Sequence, residues 1–279
     1  MADKILVYDG DCPMCEAASA LAMRILRLPG ERRRAFQSFE GEMAGRLLAA
    51  GMQDEMAVID PASGEIRTGV PGLLGLVRET RVAWAARLLD HQWLHPALSA
   101  AYHLIAYNRR TIAPPRRKPA FVCACDPEYR PGWLLALIVL LLGFALGMTA
   151  LFGAVVDVET GLSNPVQMLI AAGSGWVVLF LAALGLPKET RLPFLGHLGM
   201  VMAVGLLVLV PSMLLAPLLD GRWMAGVFLF SIAASFLLML RSLRRRLAYL
   251  ELSPAWLAGW AAALWAGASL SIWYFWLRL

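Results

Sequence analysis

KILVYDGDCPMC, residues 4–15, decides the fold of the amino-terminal part of the chain. The run Ile5-Leu6-Val7-Tyr8 is short, apolar and partly β-branched, which reads as a buried strand. Asp9-Gly10-Asp11 ends it with turn-forming residues. Pro13 suits the first turn of a helix, and Ala17, Leu21, Ile25 and Leu28 recur at helical spacing until Pro29-Gly30 stops them. The stretch therefore predicts strand, turn and helix in immediate succession. Cys12 opens the helix, and Cys15, three residues on, shares its face.

Outward from this unit the pattern continues as α/β. Residues 35–39 predict a second strand, 41–51 a helix, 56–60 and 65–68 a hairpin around Ala62-Ser63-Gly64, and 70–79 another helix. The order is β-α-β-α-β-β-α. Two further helical stretches, 82–94 and 96–109, end at Asn108-Arg109-Arg110. A Pro- and Arg-rich linker, 114–119, then leads to Cys123 and Cys125.

The composition changes abruptly after Gly132. The chain is 59% hydrophobic and 16% charged, too apolar for one soluble domain, and the excess lies in its second half. Apolar stretches at 133–156, 166–186, 194–219, 223–240 and 254–277 each approach the ~20 residues that span a bilayer as helix. Buried helices of a large soluble core rarely run so long without a charge. The predicted organisation is an α/β thioredoxin-like domain over residues 1–130, then an all-α transmembrane domain of about five helices over 131–279.

Orientation follows from the loops, because short cytoplasmic loops are rich in Lys and Arg. Arg116, Arg117, Lys118 and Arg130 precede the first stretch. Lys188 and Arg191 join the second to the third, and Arg241, Arg244, Arg245 and Arg246 the fourth to the fifth. The other connections hold Asp157 with Glu159, and Asp220 with Arg222, while Arg278 follows the last stretch. The first apolar run, 5–8, is too short for a signal peptide. These features place the protein in an inner or plasma membrane as a multi-pass chain, with the N-terminal domain in the cytoplasm and the C terminus outside. The net charge of +5, concentrated in membrane-flanking loops, matches anionic lipid rather than nucleic acid, and no nucleic-acid motif is present.

All four cysteines, Cys12, Cys15, Cys123 and Cys125, precede the first apolar stretch. A reducing compartment disfavours a structural disulfide, which leaves redox, metal-binding or packing roles. At a helix start the backbone N–H groups and the helix dipole favour a thiolate at Cys12, the attacking species, and Cys15 is placed to resolve a mixed disulfide. Asp9 is placed as proton partner for Cys15. As charges, Asp9 and Asp11 oppose thiolate formation, so the sign of the net pKa shift stays open. A metal reading competes, in which Cys12 and Cys15, joined by Cys123 and Cys125, hold zinc or copper; Cys123-x-Cys125 is tighter than the usual zinc pair. The dithiol reading needs no bound cofactor.

YDGDCPMC after a strand resembles the DCC family of thiol-disulfide oxidoreductase-like proteins, with Asp9, Cys12 and Cys15 at that family's spacing. The hairpin with Asp60 and Gly64, the helix after it, the segment YHLIAYNR (102–109) and the cysteine-containing tail resemble its later landmarks, covering residues 4–126. The resemblance implies a thioredoxin-like fold and a dithiol oxidoreductase acting on a thiol or disulfide protein. One departure is that no proline immediately precedes residues 56–60, where the substrate-binding cis-proline of thioredoxins falls. Asp9-Gly10-Asp11 also resembles the opening of haloacid-dehalogenase phosphatases, but Cys12 stands where that motif wants Thr or Val.

The apolar stretches contain no acid or base well inside them and no cysteine, which disfavours a proton-coupled pump and a transmembrane dithiol relay. His197 is the one titratable residue there, and it reads as interfacial packing. His91, His95 and His103 read as ordinary surface or core histidines. Pro211 and Pro217 predict kinks in the third stretch, and Gly143 with Gly147, and Gly259 with Ala263, predict close helix contacts within this chain or with another. Besides an enzyme, a membrane anchor or an adaptor for another membrane protein fits these features.

Overall fold

Strand β1 (Ile5–Tyr8) lies centrally in a four-stranded sheet because its residues alternate between two apolar layers. Leu6 packs with Met23, Val58 and Leu76, and Val7 packs with Phe36, Leu47, Met52, Ala57 and Ile59. The sheet order is β2-β1-β3-β4, with β2 (Arg33–Ala35), β3 (Ala57–Ile59) and β4 (Ile66–Thr68). β1 pairs parallel with β2 and antiparallel with β3, and β3 pairs antiparallel with β4. Helices α1 (Pro13–Leu26) and α3 (Gly69–Val77) supply Met23 and Leu76 to one layer, and α2 (Gly41–Ala49) supplies Leu47 to the other. Beyond α3, α4 (Ala83–Leu89) and α5 (Leu94–Tyr107) pack Ala86, Leu98 and Tyr102 on Val70 and Leu74, and α6 (Arg109–Ile112) follows at once.

The computed structural model describes residues 4–115, 126–160, 164–219 and 221–276, so Cys123, Cys125 and the cluster Arg116-Arg117-Lys118 lie outside the described residues. The chain divides into two units, Met1–Leu134 and Leu135–Leu279.

Two expectations for the first unit are corrected. The second strand is Arg33–Ala35, and Phe36–Ser38 is a 3-10 turn that tucks Phe36 beneath the sheet. Arg33 fits a strand because its guanidinium lies 4.0 Å over the Tyr8 ring and bonds the Ser19 hydroxyl. On α1 the buried stripe is Cys15, Ser19 and Met23, whereas Leu21 and Ile25 face outward. Ser19 is tolerated inside because its hydroxyl donates to the Cys15 carbonyl at 2.6 Å.

The second unit is helical. After α7 (Pro131–Thr160) come α8 (Pro165–Ala183), α9 (Lys188–Leu215), α10 (Gly221–Tyr249) and α11 (Ala255–Trp276). Among the described residues four helices, Pro131–Val158, Pro165–Ala183, Lys188–Leu218 and Trp223–Tyr249, are long and apolar enough to cross a membrane, and α11 holds the shorter apolar stretch Ala255–Leu270. Asn164 and Gln167 form a capping box that starts α8. Helix α9 continues through Pro193 and Pro211, and Pro217 lies in the 3-10 turn after it.

Within this chain the small residues named from the sequence differ: Ala263 sits in a close helix contact, and the three glycines do not. Open space surrounds Gly143, Gly147 and Gly259. The close approach is between α8 and α11, where a Cβ on Gly175 would lie 2.8 Å from the Ala263 carbonyl oxygen and one on Gly267 would lie 2.5 Å from that of Ala171. The fourth apolar helix runs past Leu240, so Arg241, Arg244, Arg245 and Arg246 are helical rather than part of a loop. Arg246 and His197 are both buried, with Arg246 Nη1 and His197 Nδ1 2.8 Å apart.

Candidate dithiol site

Cys12 is the N-cap of α1, with extended backbone (φ −99°, ψ 110°), and Pro13 follows at N1. The turn that delivers it is short. Cys12 N–H donates to the Asp9 carbonyl at 3.3 Å, and Asp11 N–H donates to Asp9 Oδ1 at 3.0 Å. Gly10 donates its N–H to Gln37 Oε1 at 2.9 Å, and a Cβ there would lie 2.8 Å from that same atom. A side chain at Gly10 would have to displace the Gln37 amide, so the turn favours glycine for close approach.

The sulfur of Cys12 takes the capping role usually filled by Ser or Asp. It accepts from Cys15 N–H at 3.4 Å. The Cys15 thiol also donates to Cys12, and this bond is the largest cause that draws the Cys12 pKa from 9.0 down to about 6; burial opposes it, the Cys15 N–H bond adds to it, Arg109 helps and Asp9 hinders. The same thiol bond, then burial and the Cys12 charge, pushes the Cys15 pKa up. The two cysteines, one helical turn apart, are thus pulled in opposite directions, Cys12 toward thiolate and Cys15 toward thiol. Cys12 has no exposed surface and Cys15 is 7% exposed, so reaction with a macromolecular disulfide requires local opening.

Asp9 is 1% exposed and its carboxylate is fully engaged. Oδ1 accepts from Gln37 Nε2 at 3.1 Å as well as from Asp11 N–H. Oδ2 accepts from Arg110 Nη2 at 3.1 Å and lies 3.7 Å from Arg109 Nη2. A buried carboxylate needs such partners. Both arginines are themselves buried and tied down. Arg109 donates to the carbonyls of Gln53 and Asp54 at 2.7 and 2.8 Å, and Arg110 to Asp126 Oδ1 and the Asp11 carbonyl at 3.0 and 3.3 Å.

The structure therefore brings Asp9, Cys12 and Cys15 together and adds Gln37, Arg109, Arg110 and Asp126. The one sequence signal for the arginines was indirect: an acid at a buried strand end demands a cation, and Asn108-Arg109-Arg110 closes a helical stretch. Beside Cys15, Met14, Ala18, Met56, Tyr102 and Arg109 line a small, almost wholly apolar cavity of about 70 Å³. Met56 N–H, at the start of the hairpin, donates to the Tyr102 hydroxyl at 2.9 Å, so this backbone position is already satisfied from within. The histidines behave as ordinary polar residues. His95 Nδ1 lies 3.1 Å from Asp90 and His103 Nε2 lies 2.6 Å from Glu55.

Among the described residues no group of three His, Cys, Asp or Glu side chains is arranged to hold a metal ion. In the helical unit a cavity of about 1000 Å³ is walled mainly by apolar side chains such as Leu142, Phe152, Trp176, Phe236 and Trp265.

Compared with family models, with curated proteins and with solved structures, the chain matches none.

Proposed function

We propose that this chain is a membrane-anchored, thioredoxin-like thiol-disulfide oxidoreductase whose dithiol, Cys12 and Cys15, works on the cytoplasmic face. The observation that carries the reading is the asymmetry of the pair: Cys12 caps α1 and accepts the Cys15 N–H, contacts that draw it toward thiolate, while the bond to Cys12 and burial push Cys15 toward thiol. A mixed sheet of order β2-β1-β3-β4, with the dithiol at the β1–α1 junction, supports the thioredoxin-like fold and the resemblance to the DCC family. The Lys and Arg pattern of the connections supports the sidedness.

In the reducing direction, the Cys12 thiolate attacks one sulfur of a protein disulfide. A Cys12–substrate disulfide forms and the other substrate sulfur leaves as thiolate. Cys15 then loses its proton and attacks Cys12 Sγ, which forms the Cys12–Cys15 disulfide and releases the second substrate thiolate. Two electrons pass from the dithiol to the substrate, and a thiol reductant restores the dithiol by the reverse exchange. The Cys15 proton is retained until Cys12 becomes a neutral mixed disulfide, because the charge that opposed its loss is then gone. Local opening of the pair lets solvent receive it. Asp9, with both oxygens occupied by Arg110, Gln37 and the Asp11 N–H, sets the local field through its arginines instead of shuttling the proton. Zinc or copper binding would need ligands beyond these two cysteines.

The test is covalent trapping. Cells carrying Cys15→Ser should accumulate mixed disulfides with the chain that disappear on reduction and are missing from the Cys12→Ser, Cys15→Ser double variant. No adduct in Cys15→Ser, or the same adducts in the double variant, would remove the reading.

A further inference from the structure

We propose that the outer face of α4 and α5 docks onto an anionic lipid leaflet, with both helices lying in the headgroup region. The face is apolar and largely exposed. Trp84 and Leu88, one turn apart on α4, are 65% and 55% exposed, and Trp93, at the start of α5, is 78% exposed. Leu94, Ala101 and Ile105 continue the exposed stripe along α5 at helical spacing. Helix α5 carries no Asp, Glu, Lys or Arg over its 14 residues. A water-facing domain seldom leaves such a patch open without a partner.

Three observations select lipid as that partner. The residues are those of interfacial helices, tryptophan and leucine on the buried side with arginine beside them. Arg81 and Arg87 are exposed next to the patch, whereas the nearby acid, Asp90, is taken by Arg78 and His95. Finally, α5 is joined to the start of the first apolar helix by packing. Trp133, in the first turn of α7, lies 6.4 Å from the Tyr107 ring and 5.9 Å from His103, and the Asn108 side chain donates to the Trp133 carbonyl at 3.0 Å. All of these residues belong to the N-terminal unit. Among the described residues four helices are of bilayer length, so the unit is tethered to a membrane, and the sequence adds Arg116, Arg117 and Lys118 between α5 and α7.

The test uses the full-length protein in nanodiscs containing phosphatidylglycerol or phosphatidylcholine alone. Photoreactive benzoylphenylalanine replaces Trp84 or Trp93, with exposed Glu42 on α2 as the control position. Lipid adducts at 84 and 93 but not at 42, stronger with phosphatidylglycerol, are the expected result. Combining Arg81→Gln with Arg87→Gln should lower the adduct yield by up to about thirtyfold. Unchanged hydrogen exchange in β1 and β3 would show that this variant still folds. Absence of lipid adducts at 84 and 93, equal adducts at 42, cross-links to a second copy or another protein instead of lipid, or a yield indifferent to lipid charge would each overturn the proposal. None of these outcomes depends on the dithiol chemistry.

Discussion

The pH dependence of Cys12 alkylation follows from the bonds that Cys15 makes to it. A fall of the Cys12 pKa from 9.0 to about 6 corresponds to about 4 kcal/mol of preference for thiolate. At pH 7 Cys12 is then about 90% thiolate, against about 1% for a thiol left at its ordinary value. A weaker base is also a poorer nucleophile, which takes back roughly twentyfold of that gain. The net expectation is that Cys12 labels about fourfold faster than an ordinary thiol at pH 7 and about fortyfold faster at pH 5. Burial slows every rate, because Cys12 has no exposed surface, but an opening step that is itself independent of pH scales all points alike and leaves the midpoint in place. Iodoacetamide labelling of reduced protein between pH 4 and 10, read by mass spectrometry, should give a Cys12 midpoint near pH 6, with Cys15 unlabelled until far higher pH. Cys15→Ala should move the Cys12 midpoint upward, since the strongest donor is gone. A Cys12 midpoint at or above about 8, or earlier labelling of Cys15, would refute the reasoning; protection of both cysteines until a chelator is added would point to metal.

The remaining expectations concern stability and topology. Between the lowered value of Cys12 and 9.0 the unfolded chain holds a proton that the folded chain has released, so Cys12 stabilises the fold increasingly as pH rises through this window and not below it; Cys12→Ser should flatten that slope in denaturant titrations. Asp9→Asn leaves two buried guanidiniums without their shared carboxylate, and should cost about 3–5 kcal/mol in unfolding of the N-terminal unit while lowering the Cys12 midpoint further, because Asp9 raises it. Gly267→Val should cost about 1–3 kcal/mol, because its Cβ would meet the Ala171 carbonyl, and thermal melts in detergent would register the loss. A cytoplasm-only reporter fused after Leu279 should stay silent if α11 crosses as a fifth helix; strong activity would leave four crossings.

The strand, turn and dithiol helix were legible because each signal is local: an apolar run, Asp-Gly-Asp, and proline after the first cysteine. The helical spacing of Leu21 and Ile25 was legible as well but pointed to the wrong face, since periodicity gives a helix and not its partner. Strand β2 was displaced because arginines read as solvent-facing, whereas Arg33 packs its guanidinium over Tyr8. What local pattern could not supply is the electrostatic half of the site. Arg109 and Arg110 meet Asp9 across most of the unit, and the choice of these two among the arginines of the first 130 residues is made by tertiary packing alone. The same limit applies to Gly175 and Gly267, whose partner helices sequence spacing does not identify.

The pairing of Asp9 with Arg110 spans 101 residues, and that distance sets an order of assembly. While the ribosome adds about 5–20 residues per second, the CPMC turn emerges early, and its carboxylate has no guanidinium to meet until α6 has been made. Pro131, where the first apolar helix begins, follows soon afterwards. The buried cluster around Asp9 is therefore completed only as the first apolar helix is about to be made, so a nascent or truncated fragment carries both cysteines without the charged frame that stands behind them. A graft of residues 4–26 into another protein would transfer the motif and the N-cap but not the buried ionic cluster, and the smallest portable unit extends at least to Asp126.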